Sequence, residues 1–261
     1  LQLAGSVRAV ASKSHVHRLL ICAALADKAT VIRCAETSQD IEASARCLNA
    51  LGANIIYRDG EFAVTPIIEA AENAVLDCGE SGSTLRFLLP VACALGKPCA
   101  FRMSGRLPDR PLSPLWDTLV SHSALLSRSG ADTIECGGKL TGGVFDIDGG
   151  ISSQFISGLL LAGVKLPDSD TVIRLSSEPQ SRDYIAMTRQ ALSEFGVNTN
   201  ENGFSFTVPS RQAYLSPGVC EAEGDWSNGA LWLCAGAMLG EDSESPADVP
   251  MSIRGQLGNR I

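Results

Sequence analysis

LNALGANIIYRDGEFAV, Leu48–Val64, and LSEFGVNTNENGFSFTV, Leu192–Val208, are two versions of one phrase. Each leaves a helical pattern through a glycine and enters two short β-prone pieces around a second glycine, as a helix running into a hairpin does. A degraded third copy runs from Leu119 through LSRSGADTIEC (Leu126–Cys136), with Ser123 where the others carry Gly52 and Gly196. These three positions are 71 and 73 residues apart. A period of about 72 is longer than solenoid repeats, so each unit is expected to be a compact mixed α/β block.

Outward from the joints, each unit has the same order. A short strand leads to a polar, Ser- or Gly-rich elbow and an apolar helix; a second strand, a second helix and the hairpin follow. The first helices are SHVHRLLICAALA (Ser14–Ala26), STLRFLLPVACALG (Ser83–Gly96) and SQFISGLLLAG (Ser153–Gly163). They are apolar nearly all round, which predicts buried helices. The second helices, with clearer polar faces, start near Asp40, Arg110 and Ser181. Asp40 and Ser181 suit N-caps, and Pro111 suits a first helical turn. From about Pro217 a fourth cycle opens with GVCEAE, Asp225 and an apolar helix over Ala230–Leu239, and stops at Ile261 without a second helix. The expected organisation is three repeats over about 3–70, 71–142 and 143–216, with 217–261 the incomplete start of a second lobe.

The 261 residues carry 29 acidic and 21 basic side chains, a net charge of −8, with 45% hydrophobic and 19% charged residues. That describes a globular protein with a real core. Its acidity argues against wrapping nucleic acid. No apolar run has the length of a membrane span, and the best, Phe87–Leu95, contains Pro90. Arg8, Lys13 and Arg18 break up the N-terminus, so no signal peptide is visible. Nine cysteines at no CxxC spacing read as reduced, structural thiols of a cytosolic protein. His15, His17 and His122 make poor metal candidates.

Buried helices packed side by side bring their N-termini toward one face, each with unpaired N–H groups and about half a positive charge. Lys13 and Ser14, Gly82 and Ser83, and Ser152, Ser153 and Gln154 cluster at those starts. Hydroxyl donors, close backbone approach and a mobile cation are what an anion site needs. Arg18 and Arg86 lie one turn up their helices, after Ser14 and Gly82, and Arg110 sits in the proline-stiffened bend GRLPDRP. A site for phosphates or carboxylates is expected. Taken singly, Ser14, Ser83 and Ser152 read as helix caps, Arg18 and Arg86 as solvated or structurally paired, and Gln154 and Tyr184 as satisfied polar residues. Asp146 and Asp148 read as sheet-edge or turn residues. Occurrence in all three repeats favours binding.

ASKSHVHRLL (Ala11–Leu20), GESGSTLRFLLP (Gly79–Pro90), GRLPDRPL (Gly105–Leu112), GGISSQFISGLLLAG (Gly149–Gly163) and SRDYI (Ser181–Ile185) resemble, in order and spacing, the 5-enolpyruvylshikimate-3-phosphate synthase (3-phosphoshikimate 1-carboxyvinyltransferase) family. The resemblance implies an α/β fold of two lobes, each an inside-out α/β barrel of three βαβαββ units with buried helices. This chain would supply one complete lobe and part of a second. It further implies transfer of the enolpyruvyl group of phosphoenolpyruvate to the 5-hydroxyl of shikimate 3-phosphate, in aromatic amino-acid biosynthesis. No metal or organic cofactor, nucleic acid or membrane is implied, and the full-length protein would be a cytoplasmic monomer.

By the same resemblance, Lys13 and Arg110 act in catalysis. Lys13, Ser14, Arg18, Ser152, Ser153, Gln154, Ser181 and Tyr184 bind shikimate 3-phosphate, and Lys13, Gly82, Arg110 and Gln154 bind phosphoenolpyruvate. Glu80 stands where some relatives have Asn, placing a carboxylate beside the anion pocket, and Ala11 replaces a usual glycine. The family's acid–base residues fall outside this sequence, so the chain alone is expected to be inactive. The alternatives are a UDP-N-acetylglucosamine enolpyruvyl transferase, whose loop cysteine MSGRLPDRP lacks, a non-catalytic shikimate-phosphate-binding module, and a structural fragment that dimerises.

Overall fold

The computed structural model describes residues 5–239 and 251–254. The expected repeat is present three times as a four-stranded sheet. The second sheet orders β5 (Ala74–Asp77), β6 (Cys99–Arg102), β8 (Thr133–Gly138) and β7 (Ala124–Arg128); the third orders β9 (Gly143–Ile147), β10 (Thr171–Leu175), β12 (Ser205–Val208) and β11 (Asn200–Asn202). In both, the first two strands are parallel and the hairpin adds antiparallel. The first sheet has the same plan with β2 (Thr30–Arg33), β4 (Glu61–Thr65) and β3 (Asn54–Arg58), but its parallel partner is β13 (Val219–Glu221). Register repeats too: Thr30 faces Val64 and Thr171 faces Val208.

That arrangement changes one expectation. The strand GVCEAE, read as opening a separate unit at 217, closes the sheet of the first repeat. The strand before the first helix, β1 (Gly5–Arg8), instead pairs in parallel with β14 (Met251–Arg254). The sequence order of strand, elbow and helix hid this, because a strand and its sheet partner need not be neighbours in sequence.

The sheets surround three helices, α1 (Lys13–Ala24), α3 (Gly82–Leu95) and α5 (Ser153–Gly163), which are buried along most of their length as their apolar composition requires. Each sheet sends an aromatic inward: Phe62, Phe101, Phe145 and Phe206 are at most 1% exposed, each contributing about 2–3 kcal/mol by area. At Gly158 a Cβ would collide with the Arg86 carbonyl. Glycine there lets α5 cross α3 closely. The second helices, α2 (Gln39–Ala50), α4 (Leu115–Ser121) and α6 (Arg182–Glu194), bury one face each.

The three joint positions share a left-handed backbone, with φ of 111° at Gly52, 72° at Ser123 and 73° at Gly196. The caps differ from expectation. Ser12, Ser81 and Ser152 accept from the backbone N–H of His15, Thr84 and Gln154. Thus Ser152 is a cap, whereas Ser14 and Ser83 lie two residues past the caps, inside the first turn of their helices. Ser38, not Asp40, caps α2. Ser181 precedes α6 in a left-handed conformation (φ 54°) and makes no side-chain cap bond. The middle unit does not enter its helix at Arg110: a 3-10 turn spans Leu107–Asp109, and α4 starts at Leu115, so Pro111 lies in the loop between them. After β13 comes α7 (Trp226–Leu239), capped by Asp225, whose carboxylate accepts from Asn228 N–H. Among the described residues no helix is long and apolar enough to cross a membrane.

Candidate functional site

A cavity of about 780 Å³ opens where the N-termini of α1, α3, α5 and α6 meet. Lys13, Ser14, Arg18, Ser83, Ser152, Ser153, Gln154, Ser181 and Tyr184 line it. Eight of the ten residues proposed from sequence therefore share one space, drawn from positions up to 171 residues apart. Helix N-termini facing one volume supply N–H donors and positive potential without needing many cations. Gly82 and Arg110 do not line this cavity.

Lys13 is half-exposed and its ammonium pairs with Asp40 at 2.7 Å. Burial works against the Asp40 carboxylate, but the Lys13 hydrogen bond and charge hold its pKa below the ordinary value. Three residues after Ser14, His17 is fully buried, its Nδ1 2.7 Å from Ser44 Oγ, which in turn lies 2.8 Å from Thr84 Oγ1. Burial, with Arg18 beside it, pushes the His17 pKa down to about 3, so the imidazole is neutral at physiological pH.

Arg18 is only 1% exposed. Its Nε donates to Thr188 Oγ1 (2.7 Å), Nη1 to the Ser14 carbonyl (2.6 Å), and Nη2 to Ser157 Oγ (3.2 Å) and the Tyr184 carbonyl (3.0 Å). The guanidinium also sits 4.8 Å from the centre of the Phe87 ring. Arg18 is thus both cavity wall and an internal tie between α1, α5 and α6.

Beside the cavity, Gln154 joins it to a second cationic group. Gln154 Nε2 donates to Ser83 Oγ at 2.9 Å, and its Oε1 accepts from Arg86 Nη1 at 2.7 Å. Arg86 Nη2 donates to the Pro111 carbonyl, and Arg86 Nε is buried without a hydrogen-bond partner. Burial, then the nearby Arg110 charge, lowers the Arg86 pKa. A Cβ on Gly82 would lie 3.0 Å from Arg110 Nη1 and 3.7 Å from Arg86 Nη1, so glycine there lets two guanidiniums approach the start of α3. Two like charges held close with neutral acceptors favour an anion between them.

The sequence reading underweighted Arg86 and missed Glu36, Thr37 and Ser38, which line the cavity from the β2–α2 loop, and Asp225, Ser227 and Asn228 at the start of α7. Thr37 Oγ1 is buried without a hydrogen-bond partner. The polar run ETS before α2 corresponds in chain order to SEPQS before α6, and that was the available signal. Glu80 does not line the cavity. Its carboxylate lies against Gly105, at a smaller cleft shared with Asp40, Arg46 and Ser104. Asp146 makes a two-point ion pair with Arg174 on the neighbouring strand, and Asp148 accepts from Ser177 and from Gly150 N–H in a turn, the structural roles expected of them.

The family model described as EPSP synthase (3-phosphoshikimate 1-carboxyvinyltransferase) matches residues 1–244. The 3-phosphoshikimate 1-carboxyvinyltransferase of Clostridium kluyveri is 35% identical over 257 residues, covering 94% of this chain and 59% of the relative. That of Clostridium beijerinckii is 36% identical over 247 residues, covering 91% and 56%. The chain therefore spans less than two thirds of the length of these relatives. Among solved structures, EPSP synthase from Acinetobacter baumannii superposes with a TM-score of 0.77 at 21% identity, over 92% of this chain and 54% of that one. The enolpyruvyl transferase NikO from Streptomyces tendae gives 0.69 at 19%, over 92% and 57%. These two likenesses show the shared fold.

Proposed function

The chain belongs to the EPSP synthase family, and from that premise we propose that it is the substrate-binding lobe of an enzyme that transfers the enolpyruvyl group of phosphoenolpyruvate to the 5-hydroxyl of shikimate 3-phosphate, releasing phosphate. The observation that carries this reading is the convergence of helix N-termini, Lys13, Arg18 and the serines on one cavity. Both substrates are highly anionic, and neutralising them is the first requirement for bringing one to the other. Curated relatives bearing this activity's name favour it over the UDP-sugar alternative.

Shikimate 3-phosphate occupies the cavity, against Ser14, Arg18, Ser152, Ser153, Gln154, Ser181 and Tyr184. Phosphoenolpyruvate sits toward Lys13, Gly82 and Arg110, with Gln154 between the two ligands. The Gln154 bridge between Ser83 and Arg86 supports that division, since one side chain reaches both groups. Lys13 and Arg110 stabilise charge on the departing phosphate, and Lys13 leaves Asp40 to do so. Ser181, held left-handed at the cavity wall without capping α6, fits a residue kept strained for a ligand.

Proton transfer and closure over the substrates need groups beyond these, so the chain alone turns over negligibly. We place the division between lobes after the three repeats, with the closing strand β13 counted to the first. The chain's free thiols, most of them buried, suit a reducing cytoplasm. Calorimetric titration tests the reading: saturable binding of shikimate 3-phosphate is expected, weakened in Arg18→Ala by about 1.5–3 kcal/mol. Lys13→Met hurts phosphoenolpyruvate more. Equal effects of both substitutions on both ligands would show the division of roles to be wrong.

A further inference from the structure

Thr188 and Ser157 lie behind the cavity, both 0% exposed and neither among the residues lining it. No ligand in the cavity reaches them. Yet their hydroxyls meet the one arginine among the described residues that does line it. Thr188 Oγ1 accepts from Arg18 Nε at 2.7 Å and lies 2.7 Å from Ser157 Oγ and 2.9 Å from the Tyr184 carbonyl, to one of which it donates its single proton. Ser157 Oγ accepts from Arg18 Nη2 at 3.2 Å.

We propose that Thr188 and Ser157 are positioning residues that lock the Arg18 guanidinium for the anionic ligand of the cavity, an inference that rests on the shikimate 3-phosphate reading. An arginine side chain has four soft torsions, and the last of these swings the fork about the Cδ–Nε bond. A hydroxyl on Nε fixes that bond's direction, and a second hydroxyl on Nη2 fixes the plane. The Ser14 carbonyl on Nη1 completes the frame from the same helix. The two hydroxyls come from α6 and α5, so the guanidinium keeps its orientation only while these helices keep their spacing from α1. The fork is therefore pre-organised, and ordering it is not left to the ligand.

The test is calorimetric binding of shikimate 3-phosphate to the full 261-residue chain and to variants shown folded by thermal unfolding. Thr188→Val, which keeps the volume and removes the hydroxyl, is expected to weaken binding about tenfold, and Thr188→Ser to restore it to within about twofold. In an Arg18→Ala background Thr188→Val should change binding by less than about twofold, because a residue acting through Arg18 has nothing left to act on. A loss that persists in that background, or none in Thr188→Val, overturns the proposal. Nitrogen-15 NMR of the unmodified chain gives a readout independent of any variant. The Arg18 Nε–H is expected to exchange slowly with solvent, and exchange as fast as an exposed arginine's overturns the lock. No binding of shikimate 3-phosphate together with a protected Arg18 Nε–H would sink the substrate reading and leave Arg18 positioned as described.

Discussion

Arg18 and Arg86 stand one turn into two related helices, and their environments differ in depth and in neighbouring charge. Arg18 is buried among hydroxyls and carbonyls of three helices, over the Phe87 ring. Arg86 is half-buried, also over a ring (Phe155, 5.4 Å), with Gln154 and the Pro111 carbonyl as its acceptors, an unpartnered Nε, and Arg110 as a like-charged neighbour. The first arrangement fixes a cation in the fold and makes it part of the core's stability. The second sets two guanidiniums near one another, and burial with the Arg110 charge lowers the Arg86 pKa, which costs stability. One repeat thus supplies a rigid wall and the next a pair of neighbouring like charges, and the difference comes from what the neighbouring helices offer at Ser157, Thr188 and Gln154.

Substitutions sharpen that contrast. Arg18→Ala removes the partner of buried hydroxyls and carbonyls and should cost about 3 kcal/mol of stability, whereas Arg86→Ala should cost no more than about 1 kcal/mol. Denaturant unfolding checks both, and the reverse order would break the comparison.

His17, next to Arg18 but facing α2 and α3, gives a pH signature. Its folded pKa, near 3, lies below the ordinary 6.5, so the unfolded chain binds the extra proton first. Stability is fully present above about pH 6.5 and falls as pH drops from there toward 3, by up to about 1.4 kcal/mol per pH unit. His17→Asn should flatten that limb. An unchanged acid limb in the variant would show that His17 does not contribute.

Smaller effects fall on the repeat itself. Ser123 holds φ 72° where its counterparts are glycines, so Ser123→Gly should stabilise by about 0.5–1 kcal/mol, read as a rise in Tm. A fall in Tm would mean the serine hydroxyl matters more than the backbone. Smallest of all, Asp146→Ala loses only a solvent-exposed pair with Arg174 and should leave Tm and shikimate 3-phosphate binding unchanged. A measurable loss would place a function on that strand.

Much of this was legible in the chain because repetition makes weak signals add. The joints at Gly52, Ser123 and Gly196 all have positive φ, and the three apolar helices are the buried ones. Residue types at their starts placed Lys13, Ser14, Ser152, Ser153 and Gln154 on one cavity. What was not legible depends on long-range geometry. Nothing local says that Val219–Glu221 pairs with β2, that Thr188 faces Arg18 from 170 residues away, or that Asp40 serves Lys13 and not its own helix end. Caps fell two residues off at Ser14 and Ser83 because runs such as SKS and SGS offer two serines, and only the helix's first turn chooses between them.

The most direct test is a crystal structure of the chain with shikimate 3-phosphate. The ligand is expected in the cavity, with Ser152, Ser153 and Gln154 on one side and Arg18 in its present orientation on the other. Ligand found between Arg86 and Arg110 with the cavity left to solvent, or an Arg18 fork turned away from Thr188, would contradict the account.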